Sequence, residues 1–204
     1  FASTVNSVSS TKTLDIVAGT GNITFSGTVG GSEALGNTTI GTAVLTVGAI
    51  KVQGTLAITN SGTSTITGII SDGDSAAILT KAGAGTLTLS GDNTFTGATT
   101  VSAGVLAITH ADSLGTTDGA TTVASGAVLQ ISNAINVADA ITISGTGISN
   151  NGAIRSTSGS NTLSGQITLA AHAEIQTDAN TLTLNVSSGS AMTCLLYTSD
   201  AADD

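Results

Sequence analysis

The feature that most constrains the fold of this chain is a phrase that occurs twice. Residues 90–101 (SGDNTFTGATTV) align without a gap on residues 158–169 (SGSNTLSGQITL), at an offset of 158 − 90 = 68 positions. Self-similarity at a fixed period is typical of architectures in which similar units stack on one another. With rungs of about 22 residues, the usual size in a β-solenoid, this offset corresponds to three turns of the chain.

The stretch from Ile78 to Ile108 shows the pattern expected of one such rung. Short strand-like segments at 86–89, 99–101 and 105–108 are separated by turns at 91–93 and 103–104. Three short strands set off by glycine favour a solenoid rung over a hairpin. Val123 and Gly126 follow Val101 and Gly104 by 22 positions, which predicts rungs of about 20–23 residues. The phrase GTLAIT at 54–59 also returns, as GVLAIT at 104–109.

Composition agrees with a narrow, layered interior. Hydrophobic residues make up 40% of the chain and aromatic residues only 2%, so any core is built from Val, Ile, Leu and Ala. The 26 glycines suit tight turns, and the absence of proline suits strands that are hydrogen-bonded on both sides. No window repeats its apolar residues with the helical period. We therefore predict an all-β fold with almost no helix, a parallel β-solenoid that is continuous over residues 1–193.

Period-two alternation predicts which side chains face the interior of this solenoid. The predicted inward residues are Leu87, Leu89, Val101, Leu106, Ile108, Val123, Leu129, Ile131, Ile141, Ile143, Ile167, Leu169, Leu182 and Leu184. Asn93 and Asn161 hold equivalent positions in the repeated phrase. We expect them to line up in a turn and to bond side chain to side chain, as in a stacked asparagine ladder.

The charge balance excludes some partners. The formal net charge is −9, and the four cations Lys12, Lys51, Lys81 and Arg155 are scattered, so no basic stripe is present to follow a nucleic-acid backbone. No apolar run reaches the roughly 18 residues of a membrane-spanning helix. Phe1 is not an initiator and no signal segment follows it, so we expect the chain to be an internal piece of a longer protein.

Residues 194–204 differ in character from the rest. They hold the only cysteine (Cys194) and the only tyrosine (Tyr197), and none of the 26 glycines. This ending resembles the translated adapter read-through found at the ends of metagenomic reading frames, and the alternative is a divergent capping segment. We predict a non-native tail at 194–204, which is excluded from the fold.

The run LTKAGAGTLTLSGDNTFTGATTVSAGVLAI, within residues 78–108, resembles the autotransporter-associated β-strand repeat of Gram-negative passenger domains. Residues 143–186 look like another part of the same passengers. This resemblance implies a secreted, single-stranded, right-handed parallel β-helix that is displayed on the cell surface. It implies a structural stalk that contributes to adhesion and to passenger secretion and folding, and it does not imply an enzymatic activity or a cofactor. The expected partners are an outer-membrane translocator barrel of the same polypeptide and the surface of a host or neighbouring cell or matrix polysaccharide.

Few residues offer chemistry, and each has an ordinary structural explanation. Asp72 and Asp74 flank a glycine as a calcium-ligand pair would, but the further oxygens of a calcium loop are missing. His110, Asp112 and Ser113 are the residue types of a hydrolase triad, yet neighbours in sequence seldom have its geometry. We predict no catalytic, cofactor-binding or metal-binding residues.

Two weaker patterns lead to the same expectation. His172 is expected in a solvent-facing turn, and its distance in sequence from His110 makes a weak case for zinc. The Gly-x-Gly pairs lack the third glycine of a dinucleotide fingerprint, so we expect them to be turns. These pairs are Gly19/Gly21, Gly83/Gly85 and Gly145/Gly147.

Two alternatives to a stalk remain open. A β-helix enzyme acting on polysaccharides needs clustered carboxylates near a cation, and Arg155 has only Asp139 and Glu174 as its nearest acids in sequence. A surface-binding or ice-binding solenoid needs rows of Thr-x-Thr. The pairs of this kind do not recur once per rung, so they do not guarantee a flat array; they are Thr65/Thr67, Thr86/Thr88, Thr94/Thr96 and Thr181/Thr183.

Overall fold

The computed structural model describes residues 3–8, 12–186 and 191–194. In these residues the chain forms short β-strands and one 3-10 turn, Ile148–Asn150, and contains no α-helix. The strands of the first half are β1 Leu14–Val17, β2 Asn22–Phe25, β3 Thr38–Thr42, β4 Val44–Val47, β5 Ile50–Asn60, β6 Thr63–Ile66, β7 Ile70–Ala82, β8 Thr86–Leu89, β9 Thr99–Val101 and β10 Gly104–Ile108. Those of the second half are β11 Thr121–Val123, β12 Ala127–Ile131, β13 Asn136–Val137, β14 Ile141–Gly145, β15 Ile154–Ser156, β16 Asn161–Leu163, β17 Ile167–Ala173, β18 Ile175–Thr177, β19 Leu182–Leu184 and β20 Met192–Cys194.

The strands wind into a parallel β-solenoid, as predicted. One sheet has nine strands in the order β1-β3-β5-β7-β9-β11-β14-β17-β20, and a second has eight in the order β18-β15-β12-β10-β8-β6-β4-β2. A third sheet of three strands, β13-β16-β19, begins in the later rungs. Every strand pair in these sheets is parallel, so each turn of the chain adds one strand to each of the two large sheets. At about 4.8 Å per strand, the nine strands extend over roughly 40 Å.

The rungs vary in length more than the predicted 20–23 residues. Thr38 pairs with Leu56, an offset of 56 − 38 = 18, whereas Ile141 pairs with Ile167, an offset of 167 − 141 = 26. The strands set the period along the solenoid axis, while the turns between them are free to gain or lose residues. Rung length in this chain is therefore a property of the turns.

The repeated phrase marks the register correctly. Val101 pairs with Val123, Val123 with Ile143, and Ile143 with Leu169, so the offset of 68 residues spans three rungs. The other repeated phrase, at residues 54–59 and 104–109, does not mark equivalent positions in the rungs. The phrase at 54–59 lies in β5 of the nine-stranded sheet, whereas the phrase at 104–109 begins with β10 of the eight-stranded sheet.

The core is a continuous apolar column between the two large sheets. Eleven of the fourteen residues predicted to face inward are buried, from Leu87 to Ile167. Leu169 and Leu182 are half-buried, and Leu184 is 36% exposed. The correction for Leu184 has a simple cause, because β19 is an edge strand of its sheet and is covered from one side only.

The expected ladder between Asn93 and Asn161 is wrong. The two residues lie three rungs apart, and each bonds to backbone groups instead. Asn93 accepts a hydrogen bond at Oδ1 from the Ile70 amide (2.8 Å) and donates from Nδ2 to the Ser113 carbonyl (2.6 Å). Asn161 accepts one at Oδ1 from the Ile135 amide (3.0 Å). Each amide replaces a missing backbone partner between rungs, which satisfies buried polar groups at the turns.

Two further observations concern membrane-spanning helices and the C-terminal residues. In the described residues no helix is long and apolar enough to cross a bilayer. Strand β20 ends at Cys194, the first residue of the predicted tail, and its backbone pairs with Leu169. Residues 195–204 lie outside the described residues, so the non-native tail stays a prediction.

Candidate functional site

The predicted triad residues lie together in the turn after β10 but do not have triad geometry. The Ser113 hydroxyl is fully buried and donates to the Leu89 carbonyl (3.0 Å), and it accepts a hydrogen bond from the His110 amide (3.2 Å). The His110 imidazole accepts from the Asp112 amide at Nδ1 (3.2 Å). Catalysis by serine needs a contact between its hydroxyl and the imidazole, and the Ser113 hydroxyl is instead bound to backbone. These residues build the turn.

His110 also lies beside two carboxylates, one in its own turn and one in the preceding rung. One potential ligand atom from each of Asp92, His110 and Asp112 lies within 4.8 Å of the others, and the carboxylate of Asp112 approaches the His110 Nδ1 to 3.8 Å. Both aspartates are exposed and His110 is half-buried. Divalent cations bind to mixed nitrogen and oxygen ligands of this kind. Exposed acidic side chains, however, often cluster at turns where no metal ion is bound. Sequence reasoning missed this group, although Asp92 and Asp112 stand about one rung apart.

Asp72, the first member of the predicted calcium pair, is a staple between rungs. Its carboxylate accepts hydrogen bonds from the Thr96 amide (3.0 Å), from the Thr96 hydroxyl (2.7 Å) and from the Ala77 amide (2.7 Å). Asp74 is exposed, and its amide donates to Gln53 Oε1 (3.0 Å). Since the Asp72 oxygens already have protein donors, this carboxylate holds the loop to the next rung. Charge-assisted bonds of this kind are among the stronger ones in proteins.

Arg155, the cation named for the enzyme alternative, is neutralised by an acid that sequence proximity did not suggest. Its Nη2 lies 2.7 Å from Asp178 Oδ2, and its Nε donates to the same carboxylate (2.9 Å). Gln176 donates to the other oxygen of Asp178 (3.2 Å). Arg155 and Gln176 are paired in register on the outside of the eight-stranded sheet. The guanidinium is held by a side chain of the next rung, an arrangement that stabilises the stack.

His172 is exposed but does not lie in a turn. It belongs to β17, which continues to Ala173. Of the glycine pairs, Gly19, Gly83, Gly145 and Gly147 have positive φ angles between 57° and 78°, as expected of chain reversals.

The most unusual side chain of the repeat is one that the sequence analysis treated as an ordinary cation. Lys81 is fully buried and points inward from β7, where it pairs with Ile58 and Val101. Its ammonium donates to three carbonyls, those of Ala82 (2.8 Å), Gly83 (2.9 Å) and Ala103 (3.2 Å). Burial lowers the pKa of Lys81 to about 8. The three acceptors belong to two successive turns, so Lys81 ties one rung to the next.

The glycine that follows the last of these acceptors is required by the same packing. Gly104 has φ +71°, and a Cβ at this position would lie 2.3 Å from the Gly83 carbonyl oxygen and 2.9 Å from Lys81 Nζ. The turn thus closes over the ammonium with no room for a side chain. Gly126, one rung on, also has a positive φ (+82°) but meets nothing within 4 Å.

A second buried titratable group, Asp139, lies two residues before β14. Asp139 is 3% exposed, and its Oδ1 has no hydrogen-bond partner among the described residues. Burial, opposed by a bond from its own backbone amide and reinforced by the charge of Asp112, raises the pKa of Asp139 to about 7. A Cβ on Gly165 of the following rung would meet the Asp139 carbonyl oxygen, so this corner is tightly packed. The carboxyl group is therefore protonated through the acidic range.

A shallow groove near the first rungs offers no chemistry. It is lined by Val17, Gly41, Thr59, Asn60 and Gly83, together with three residues close to them in sequence. Its exposed surface is mainly apolar, and none of its lining residues titrates near neutral pH. The groove is a feature of the outer corner between successive turns.

Comparison with known proteins agrees with this picture of a structural solenoid. The family model of the passenger-associated transport repeat matches residues 79–108. The chain is also 39% identical over 112 residues to the adhesin BmaC autotransporter of Brucella suis biovar 1 (strain 1330). That alignment covers 53% of this chain and 3% of the relative, so the chain spans a small part of the protein it matches. No solved structure matches the chain.

The matched residues are those around which the buried contacts are arranged. The repeat begins at Leu79, two residues before the buried Lys81, and ends at Ile108 in β10. It contains the inter-rung contacts of Lys81 and Asn93 and the Thr96 donors of Asp72. Residues 79–108 thus match the passenger-associated transport repeat, and the β-solenoid that carries them is similar over 112 residues to part of an autotransporter adhesin.

Proposed function

We propose that this segment is a non-catalytic stalk, and that its transport repeat stabilises the passenger as it folds outside the cell. The observation that carries the proposal is the set of side chains that tie the repeat to the rungs on either side of it. Lys81, Asn93 and Asp72 each bond across a rung boundary. Such contacts add to the apolar core, which a single rung cannot bury alone.

The physical basis for a role in export is the nearest-neighbour character of a solenoid. Each rung gains stability only from the rungs it touches, so one well-anchored rung serves as a template for the next. A segment that folds rung by rung outside the membrane also opposes its own backsliding, since folded rungs cannot re-enter a narrow pore. The proposed partner is accordingly a translocator barrel in the same polypeptide.

The proposal is tested by surface display. The chain is fused between an export signal and an outer-membrane translocator barrel in a Gram-negative host, and display is measured by protease accessibility on intact cells. We expect Lys81→Ala and Asn93→Ala each to lower the displayed fraction several-fold, because each leaves buried backbone groups without a partner. Thr88→Ala, on the outside of β8, is the matched control and leaves display unchanged. Normal display after loss of both buried anchors would refute the role in export.

The absence of catalysis is tested separately. A panel of plant and bacterial polysaccharides is incubated with the purified chain, and new reducing ends or unsaturated products are measured. No turnover is expected, because the arginine a polysaccharide lyase would use is bound to Asp178. Turnover that disappears in Arg155→Ala would overturn the stalk assignment in favour of an enzyme.

A role in attachment is proposed on a different ground. The relative that matches this chain is named an adhesin. We propose that the segment contributes to attachment to the surface of a host or neighbouring cell or to matrix polysaccharide. Binding of the displayed chain to such material, compared with cells that display an unrelated passenger, tests this part of the proposal.

A further inference from the structure

The outer face of the nine-stranded sheet carries one threonine per rung over six consecutive rungs. The threonines pair in register, and they are Thr80, Thr100, Thr122, Thr142, Thr168 and Thr193. This row is not evident from the sequence, because its members are 20 to 26 residues apart and belong to different rungs. The row runs along the solenoid axis with a step of about 4.8 Å, and it is a single row, not the paired rows that stacked Thr-x-Thr motifs would form.

The rows beside these threonines are uncharged and, apart from Ile78 and Gln166, their residues are small. Backbone hydrogen bonds place Ala98, Ala120 and Ala140 in successive rungs on one side, between Ile78 and Gln166. On the other side the corresponding positions are Ala82, Ser102, Ala124 and Ser144. We call these positions, together with the six threonines, the threonine face. It has no charged residue, although the chain as a whole has a formal net charge of −9.

The threonines of this face are at least partly accessible to solvent. Thr122 is exposed, and Thr80, Thr100 and Thr142 are half-buried. The backbone groups of these strands are used in the parallel ladders, so the face presents mainly hydroxyls and methyl groups. Near the last rungs the Thr168 and Thr193 hydroxyls lie 3.3 Å apart and bond to each other. Each hydroxyl both donates and accepts, which suits a partner that is itself covered with hydroxyls.

The geometry points to a neutral, linear polysaccharide lying along the solenoid axis as the partner, and we propose this as the ligand of the threonine face. Such a polymer is extended and periodic, with a repeat comparable to one rung, and it offers hydroxyls beside apolar C–H surfaces. An uncharged face binds it without removing water from a charge. An anionic polymer would be repelled by the excess of carboxylates on the rest of the chain.

Area distinguishes this ligand from a second copy of the chain. Six strands at about 4.8 Å and about five residues of strand width give a face of roughly 400 Å². A stable protein interface needs about 800 Å² per partner, so the face is too small for a lasting dimer. It is large enough for several sugar units, and many weak contacts along a polymer add up to useful avidity. The proposal rests on the proposed function only in requiring that the stalk is outside the cell.

The test is co-sedimentation of the purified chain with insoluble cellulose as a neutral polymer and with polygalacturonate gel as an anionic one. The wild-type chain should bind cellulose and leave the anionic gel unbound. Thr100→Val/Thr122→Val removes hydroxyls while keeping strand preference, and we expect at least tenfold weaker binding. Thr100→Asp/Thr122→Asp should abolish it. The matched control is Thr65→Asp/Thr88→Asp, an in-register pair on the eight-stranded sheet, which should bind as wild type.

The outcomes that overturn the proposal are distinct. Equal loss of binding in both aspartate pairs, with circular dichroism unchanged, would show a general charge effect instead of a face. No binding of the wild-type chain to cellulose would refute the ligand. Concentration-dependent dimers that disappear in Thr100→Asp/Thr122→Asp would assign the face to self-association. If the wild-type chain is displayed normally on cells but does not bind cellulose, the ligand proposed for the threonine face is refuted and the stalk assignment stands.

Discussion

The ionisation of Asp139 gives the chain a stability that falls as the pH rises. Its carboxyl group is buried at a tightly packed corner, and its pKa is raised from the ordinary 3.8 to about 7. In the unfolded chain the same carboxyl loses its proton near pH 4. Between these values the folded chain holds one proton more than the unfolded chain, so the free energy of unfolding decreases with increasing pH.

The size of the effect follows from the two pKa values. Each pKa unit corresponds to about 1.36 kcal/mol, so the interval from 3.8 to about 7 amounts to roughly 4 kcal/mol. The contribution of protonated Asp139 to the free energy of unfolding is complete below about pH 4. It is lost as the pH rises through the interval, and it is absent above about pH 7. Since domains unfold with only about 5–15 kcal/mol, a loss of this size is readily measured.

The substitution Asp139→Asn isolates this contribution. Asparagine keeps the shape and removes the ionisation, so any packing cost of the amide is the same at every pH. Urea unfolding followed by circular dichroism at pH 4 and pH 8 gives the free energies of both proteins. The difference between variant and wild type should shift by roughly 4 kcal/mol in favour of the variant from pH 4 to pH 8. An equal difference at both pH values would refute the buried, protonated carboxyl.

Three further predictions concern the contacts within and beside the repeat. The pKa of Lys81 is lowered to about 8, so between pH 8 and pH 10.5 the unfolded chain binds one proton more than the folded chain. The free energy of unfolding should therefore rise by roughly 3 kcal/mol over this interval. Lys81→Met should remove this rise in urea unfolding experiments. Asp72→Ala should cost about 2 kcal/mol and speed hydrogen exchange of the Thr96 amide, whereas unchanged exchange would contradict the staple. Gly104→Ala places a side chain at a positive φ and in overlap with the Gly83 carbonyl oxygen, so it should lower thermal stability strongly. Gly126→Ala also places a side chain at a positive φ but overlaps with nothing, so it should cost only about 1 kcal/mol. Equal melting temperatures of the two glycine variants would show that the turn at 104 relaxes without cost.

The strands of the repeat could be predicted because local chemistry decides them. The expected segments 86–89, 99–101 and 105–108 correspond to β8, β9 and β10 to within one residue. Glycines at positive φ end the strands, and alternation selects the buried face. The assignment of a strand to a sheet is different, because both large sheets accept the same glycine-led phrase. Only the number of residues in the intervening turns distinguishes them.

The polar interior could not be predicted for the same reason. Alternation from Leu79 places Lys81 inward, yet a charged residue is seldom buried without partners. Its partners are the carbonyls of two turns, one of them at Ala103, 22 residues later in the chain. Asp178, which binds Arg155, is likewise 23 residues away. Such pairings follow from the register between rungs, which the sequence specifies only through turn lengths.

The variable length of the rungs has a mechanical consequence. Tension applied to the two ends of the chain pulls against hydrogen bonds that lie along the direction of the load, and an end rung is held from one side only. Force should therefore unspool the solenoid from an end, one coil at a time. A coil of 18 residues frees about 60 Å of chain and one of 26 residues about 90 Å, so a force–extension trace would show steps of unequal size whose order reports which end yields first.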